Sequence, residues 1–391
     1  MKLSVIGFGQ CGGRIADQFC RLNQRAKATR GLEIINSAIA VNTDVADLSG
    51  LRAIKPGYQN RVLIGGRKTG GHGVGKINEL GAEIAREDAD KVIETLRSSR
   101  NFTDTDAFLL CASAAGGTGS GSISVMTQQI KERYIDKPVY NLIVLPFEHE
   151  EQTEERTVYN VATCLKSSYL VADAIFLVDN QRYVQKDSSF ISNLSKINAL
   201  IVEPFYNILC AGEEKNPKYI GAKMLDAGDI IQTLTGWTAV GFGRVQTGGL
   251  RSLFGGGSHF RAKASETQSG NMAMDQAISG LSLKINPLDA KRGLYLVAAA
   301  AKDINMELIK EFGTYMKNMA PEAVIRSGDY PREKGQMDIG IFISELSDIE
   351  CVRNYFNKAI NLISSLKRRQ EGLVSKQRGI DITIKDIPSL L

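Results

Sequence analysis

Histidine is scarce in this 391-residue chain: His72, His149 and His259 are the only three, too dispersed to suggest a metal cluster, and no metal ligand is assigned. His72 and His149 read as loop hydrogen-bonders. The six cysteines (Cys11, Cys20, Cys111, Cys164, Cys210, Cys351) contain no Cys-x-x-Cys pair, and most sit in apolar or glycine-rich surroundings, which argues against a zinc site and a disulfide framework. Also lacking is any run of the roughly 20 apolar residues that crosses a bilayer. The start, "MKLSVIGFGQ", begins a strand and loop instead of a signal peptide, so the expectation is a cytoplasmic protein that is not integral to a membrane. Neither sign of charge dominates: 48 basic against 43 acidic residues leave +5 spread along the chain, which predicts no dedicated nucleic-acid surface. What remains is an ordinary globular composition, 43% hydrophobic and 23% charged, with length for two domains.

Over the first 180 residues or so, short apolar runs alternate with helical patterns. "LSVIGFG", "AIAVNTD", "RVLIGG", "DAFLLCAS", "VYNLIVLPF" and "DAIFLVDN" read as strands, several continuously apolar. "VGKINELGAEIAREDADKVIETLRSS" and "SGSISVMTQQIKERYI" read as helices between them, so the fold class is α/β with a doubly wound parallel sheet. A long apolar helix, interrupted by Pro204, is predicted from about Phe190 to Ala211 and would bridge two domains. Residues 246–271, rich in Gly and Ser, read as a mobile loop or linker. A smaller C-terminal α/β unit follows, with strands at "LSLKI", "RGLYLVAAAA" and "MDIGIFISEL". The expected organisation is a nucleotide-binding domain over 1–189, central helix and catalytic loop over 190–228, a C-terminal domain over 229–370 and a tail over 371–391.

Glycine collects at the strand exits, where ligands of such sheets bind. "GFGQCGG" opens a helix after the first strand, offering Gly9, Gln10, Cys11 and Gly12; backbone N–H groups and the helix dipole attract anions there. Gly7, Gly9 and Gly12 satisfy Gly-x-Gly-x-x-Gly, but Asp44 lies too far on for a dinucleotide fingerprint and is kept as a candidate for the same ligand. "GGRKTGGHGVGK" brings Gly70 and Gly71; Gly70, Gly75 and Lys76 nearly form a Walker A motif, with Ile77 where a hydroxyl belongs. "AAGGTGSG" brings Gly116, Gly117, Thr118, Gly119 and Ser120, glycines that let the backbone approach a phosphate and hydroxyls that add hydrogen bonds. Three such loops on one sheet point to a triphosphate cradle.

"AAGGTGSG" resembles the Gly-Gly-Gly-Thr-Gly-Ser/Thr-Gly signature of the tubulin and FtsZ superfamily, with Ala115 in place of the first glycine. "GFGQCGGRIAD" resembles the first loop of that superfamily, its Gln-Cys-Gly order being closer to tubulin than to FtsZ. "MKLSVIGFGQCGG", "GHGVGKINELGAEIA", "GWTAVGFG" and "SGDYP" look like the archaeal tubulin-like CetZ group, a likeness reaching from Met1 to about Ile360. The resemblance implies GTP or GDP with Mg2+ as ligands, and head-to-tail filaments of this one chain with GTP buried between subunits.

It also implies roles. Asn180, after the sixth strand, and Asn207, on the central helix, match base-reading positions. A glutamate after the fifth strand is implied for the ribose; Glu148, Glu150, Glu151, Glu154 and Glu155 are all available, and Glu151 stands for the set. Arg156 resembles, one residue shifted, an arginine that FtsZ places near the phosphates. "MLDAGDI" supplies Asp226 and Asp229, matching acids that the family delivers to the next subunit's nucleotide to position the attacking water; Met224 replaces an expected Asn. Without the family, the same pair reads as a helix N-cap. "IKDIPSLL" at the C-terminus resembles the adaptor-docking peptide of FtsZ. The alternatives are a division-ring protein of FtsZ type, resting on that tail, and a monomeric P-loop-type NTPase, resting on Lys76.

Overall fold

A computed structural model describes residues 1–184, 190–246, 259–333 and 335–365. Its frame is a ten-stranded sheet: β1 Leu3–Phe8, β2 Ile35–Asn42, β3 Arg61–Leu63, β4 Ala107–Ser113, β5 Val139–Leu145, β6 Ala174–Asp179, β7 Gly236–Gln246, β8 Arg292–Ala300, β9 Val324–Arg332 and β10 Gln336–Leu346. The order is β3-β2-β1-β4-β5-β6-β7-β10-β8-β9. β3 through β7 in this order are parallel neighbours. β10 then runs antiparallel to β7 and to β8. β7 thereby joins the N-terminal parallel half to the mixed C-terminal half. Alternate residues of each strand enter opposite apolar layers, Ile6 and Phe8 on one side and Leu3 and Val5 on the other, which is why the strands read as continuous apolar runs.

The central helix, Phe190–Ala211, keeps its expected bounds and carries Pro204 within it. It straddles both halves. The Phe205 ring lies 5.3 Å from that of Phe19, 5.1 Å from Phe176 of β6 and 5.2 Å from Phe342 of β10. Such edge and tilted aromatic contacts add to area burial.

Several expectations change. Residues 74–99 form two helices, Asn78–Glu87 and Ala89–Arg97, because Asp88 leaves helical geometry and its carboxylate accepts the Gly65 N–H at 2.6 Å. "LSLKI" is no strand. Ser282 instead stitches β6 to β7, its hydroxyl donating to Leu177 and accepting from the Val240 N–H. "VIRSGDYPR" is the strand β9, unread because of Gly328 and Pro331; it lies at the sheet edge, where proline is tolerated. Residues 259–271, expected in a loop, belong to the helix His259–Ser279. That helix lies so close to β7 that a Cβ on Gly243 would sit 1.8 Å from the Ala273 carbonyl oxygen. Residues 247–258 of that loop, the tail and its adaptor-like end lie outside the described residues. Among the described residues no helix is long and apolar enough to cross a membrane.

Candidate nucleotide site and the opposite pole

The exits of β1, β2, β4, β5 and β6 share one pole of the sheet, and the first and third glycine loops are in backbone contact there. Gly9 takes a left-handed φ of +69°, and a Cβ on it would stand 3.0 Å from the Gly119 nitrogen. A Cβ on Gly12 would fall 2.0 Å from the Cys111 carbonyl oxygen, so the first turn of the helix Gly9–Arg30 sits directly on β4. Gly117 packs on Val74 and the backbone of Ile77, which brings the second loop in. Gly116 faces open space.

The cradle is tied by the expected Thr118 and Ser120 and by two side chains that the sequence did not single out, Thr43 and Asn160. Thr43 and Thr118 meet hydroxyl to hydroxyl at 2.6 Å. The Asn160 amide, fully buried, donates to the carbonyls of Lys76, Ala115 and Gly116. Ser120 donates back to the Gly116 carbonyl. Ala115, the departure from the all-glycine signature, needs no positive φ and is accommodated. Gly71 lends its carbonyl to the Val45 N–H, and Asp44 caps the short helix Val45–Ser49 through the Asp47 N–H at 3.0 Å. Gln10 donates to Asp47 at 2.6 Å, so these side chains edge the same cradle.

Two helices, Gly9–Arg30 and Thr118–Arg133, start at this point with no side-chain cap and no acid in the first turn. Each leaves its first N–H groups unpaired by its own helix and presents the positive end of its dipole. Convergence of two such ends on one small space is a setting for a polyphosphate. Cys11 lies within it, its thiol pushed up to about 12 by burial first and the Glu150 charge second.

Residues 2–186 match the Tubulin/FtsZ family GTPase domain, and residues 187–361 match the C-terminal domain of tubulin-like CetZ proteins. The chain belongs to the tubulin/FtsZ family, in its CetZ branch. CetZ1 of Haloferax volcanii is 31% identical over 376 residues, 92% of each chain. Among solved structures, the GDP-bound monomer of that CetZ1 superposes with a TM-score of 0.78 at 29% identity, covering 92% of this chain and 99% of the other. The GTPγS-bound protofilament of CetZ2 from the same organism gives 0.78 at 28%, covering 94% and 100%. An FtsZ dimer of M. jannaschii, 20% identical with a TM-score of 0.64 over 88% and 87%, shares the fold.

The other expected residues of this CetZ-like chain have the following surroundings. Glu151 is engaged by the helix 350–365, bonded to Tyr355 and, at 2.8 Å, to Lys358. Glu150 is the member of the set whose charge reaches Cys11, while also accepting the Phe147 N–H at 3.0 Å. Arg156 borders the second loop, donating to the Lys76 carbonyl at 3.2 Å and pairing with Glu79. The Lys76 ammonium pairs with Glu154 at 2.6 Å instead of entering a phosphate loop, which removes the main support for the P-loop reading. Asn180 stands half-buried at the exit of β6.

Asn207 is at the wrong end of its helix. The Met1 amino group, at the start of β1, donates to the Leu209 carbonyl at 3.2 Å, so this part of the central helix lies a strand's length, ~20 Å, from the glycine loops. The Asn207 amide is occupied instead by the buried Asp338 and by Arg332, at 3.0 and 2.8 Å. Asn198, buried at 8% exposure, is nine residues nearer the helix start, ~13 Å along the axis toward the cradle.

Asp226 and Asp229 share that far pole: Gly212, just after the central helix, packs on the backbone of Leu225 and Asp226. Asp226 caps the helix Ala227–Thr233 by accepting the Asp229 N–H at 2.9 Å, and Asp229 pairs with Arg326 at 3.3 Å. Asp226 itself is exposed. The cradle and the acid pair are thus brought not together but to opposite ends of one rigid sheet.

Proposed function

We propose that this chain binds GTP in the glycine cradle, assembles head-to-tail into filaments, and hydrolyses GTP to GDP and phosphate where the acid pair of one subunit meets the nucleotide of the next. The observation that carries this reading is the separation of cradle and acids within one chain: a site split across two poles is completed only by stacking copies in one direction. Such a contact is heterologous and non-closing, and generates filaments. The GTPγS protofilament of CetZ2 supports that geometry for a chain of similar fold.

In this reading the N–H groups at the starts of Gly9–Arg30 and Thr118–Arg133 hold the phosphates, with Thr118 adding a hydroxyl. Glu150 accepts from the ribose hydroxyls, and Asn180 with Asn198 reads the purine through their amides. Among the described residues no three His, Cys, Asp or Glu side chains converge to hold a metal. Asp44 and Asp47 are the carboxylates beside the cradle that would hold Mg2+ together with the phosphate oxygens and water it favours, where it would offset phosphate charge. Asp226, presented on a capped turn, polarises the attacking water, and Asp229 stands on the same helical face. Loss of the γ-phosphate then removes contacts at the interface and loosens it. A cytoplasmic filament acting in cell shape is the proposed cellular use.

The test is GTP turnover per subunit across a protein concentration series, with pelleting of the same samples. Turnover that switches on together with polymer supports the shared site. A constant rate per subunit without polymer indicates a self-contained NTPase.

A further inference from the structure

The helix 350–365 carries one uninterrupted apolar face. Ile349 at its threshold, then Val352, Tyr355, Phe356, Ala359, Ile360 and Ile363, recur at helical spacing on one side. The N-terminal half of this stripe is covered: Ile349, Val352, Tyr355 and Ala359 are at most 7% exposed. The other half is bare, with Ile360 60% and Ile363 39% exposed. Beside the stripe, Tyr169 stacks on Trp237 at 5.3 Å while remaining 57% exposed, and Leu170 is 73% exposed. Between them runs a groove of about 620 Å³, floored by Trp237, Ile349, Val352 and Phe356, with Lys166, Asp348 and Arg353 at its rim and Arg353 paired with Asp348 at 2.8 Å. A contiguous apolar groove with a charged rim marks an interaction site.

We propose that this groove is the docking site of the chain's own C-terminal segment, with Ile380, Ile382 and Ile384 laid along it. The helix that lines the groove ends at residue 365, and 26 residues follow it to Leu391. Fifteen of them reach Ile380, a span of up to ~50 Å when extended, against ~24 Å for the 16-residue helix they must retrace. "GIDITIKDIPSLL" is the complementary chemistry. Its isoleucines alternate with polar residues, so an extended chain turns all three to one side about every 7 Å. Pro388 ends the run. The tail thus covers the stripe within one chain. This docking is independent of the nucleotide reading.

The test is hydroxyl-radical footprinting of the full chain, at concentrations too low for assembly, against the full-length variant I380D/I382D/I384D, with the exposed Ile135 as internal standard. Docking predicts a several-fold rise in oxidation of Leu170, Ile360 and Ile363 in the variant, with Ile135 unchanged. Reciprocally, L170D should raise oxidation of Ile380, Ile382 and Ile384. Equal oxidation of the groove in both chains overturns the proposal. So does protection that disappears on dilution of the unsubstituted chain, which assigns the groove to a second copy.

Discussion

The hydroxyls of Thr43 and Thr118 meet at 2.6 Å, joining the exit of β2 to the start of the helix Thr118–Arg133. Thr118 thereby holds its orientation in the cradle before any ligand arrives. A hydrogen bond of this kind contributes about 1 kcal/mol. T43V should weaken GTP about fivefold without itself touching the nucleotide. T118V should cost at least as much, and the double variant no more than T118V alone. Titration with a fluorescent GTP analogue measures this; additive losses would show that the pair is not coupled.

Gly12 and Gly116 predict opposite outcomes for one methyl group. G12A drives a Cβ to 2.0 Å from the Cys111 carbonyl oxygen, and backbone cannot move aside as a side chain does. It should destabilise by about 3 kcal/mol or fail to fold. G116A meets nothing within 4 Å and should fold normally. Thermal unfolding and soluble yield compare them. A stable G12A protein would mean that the first loop does not sit against β4 as described.

Glu150 and Glu151 separate ligand binding from architecture. E151Q loses the charge that Lys358 and Tyr355 engage, and should lower stability by about 1–3 kcal/mol with GTP affinity unchanged. E150Q should weaken GTP while leaving the helix 350–365 docked. Paired binding and unfolding measurements decide it; the reverse pattern would return the ribose role to Glu151.

Cys11 carries a pH signature. Burial, then the Glu150 charge, raises its thiol to about 12, so the protonated form dominates throughout the neutral range. Because the thiolate is the nucleophile, its alkylation should be slow at pH 7 and rise about tenfold per pH unit with no plateau by pH 10. E150Q removes the second cause and should bring the curve down in pH. Mass spectrometry of the Cys11 peptide follows the rate. A plateau near pH 8 to 9 would place Cys11 in an ordinary solvated setting.

Much of this was legible in the sequence where one physical signal dominated. β1 to β6 declared themselves because strands buried on both faces are apolar at every position, and the glycine loops because close backbone approach excludes Cβ. Legibility failed where long-range contacts decide. The Asp88 break depends on the Gly65 N–H, Ser282 acts through Leu177 and Val240, and β9 is a strand only because the edge tolerates Pro331. The helix His259–Ser279 packs through Ala273 and Ala277 on the bare backbone of Gly241 and Gly243 in β7, although the Gly and Ser content of 246–271 suggests a loop. Glu150 and Glu151 are chemically identical neighbours, and only the helix 350–365, some 200 residues away, claims one of them.

The acid pair poses the sharpest separation of structure from chemistry. Asparagine caps helices about as well as aspartate, so D226N should keep stability within about 0.5 kcal/mol. D229N gives up a partly exposed ion pair with Arg326, a contribution of about 0–1 kcal/mol. Both variants should still bind GTP at the far pole.

Subunit mixing tests the shared site most directly. G116D places a carboxylate in the open floor of the cradle and should exclude GTP while keeping its acids; D226N/D229N keeps the cradle and lacks the acids. Each alone should be inactive. Mixed and co-pelleted, they should regain turnover, because an unaltered acid pair then meets an unaltered cradle at a fraction of the interfaces. Co-assembly without recovered turnover would contradict a site built from two subunits.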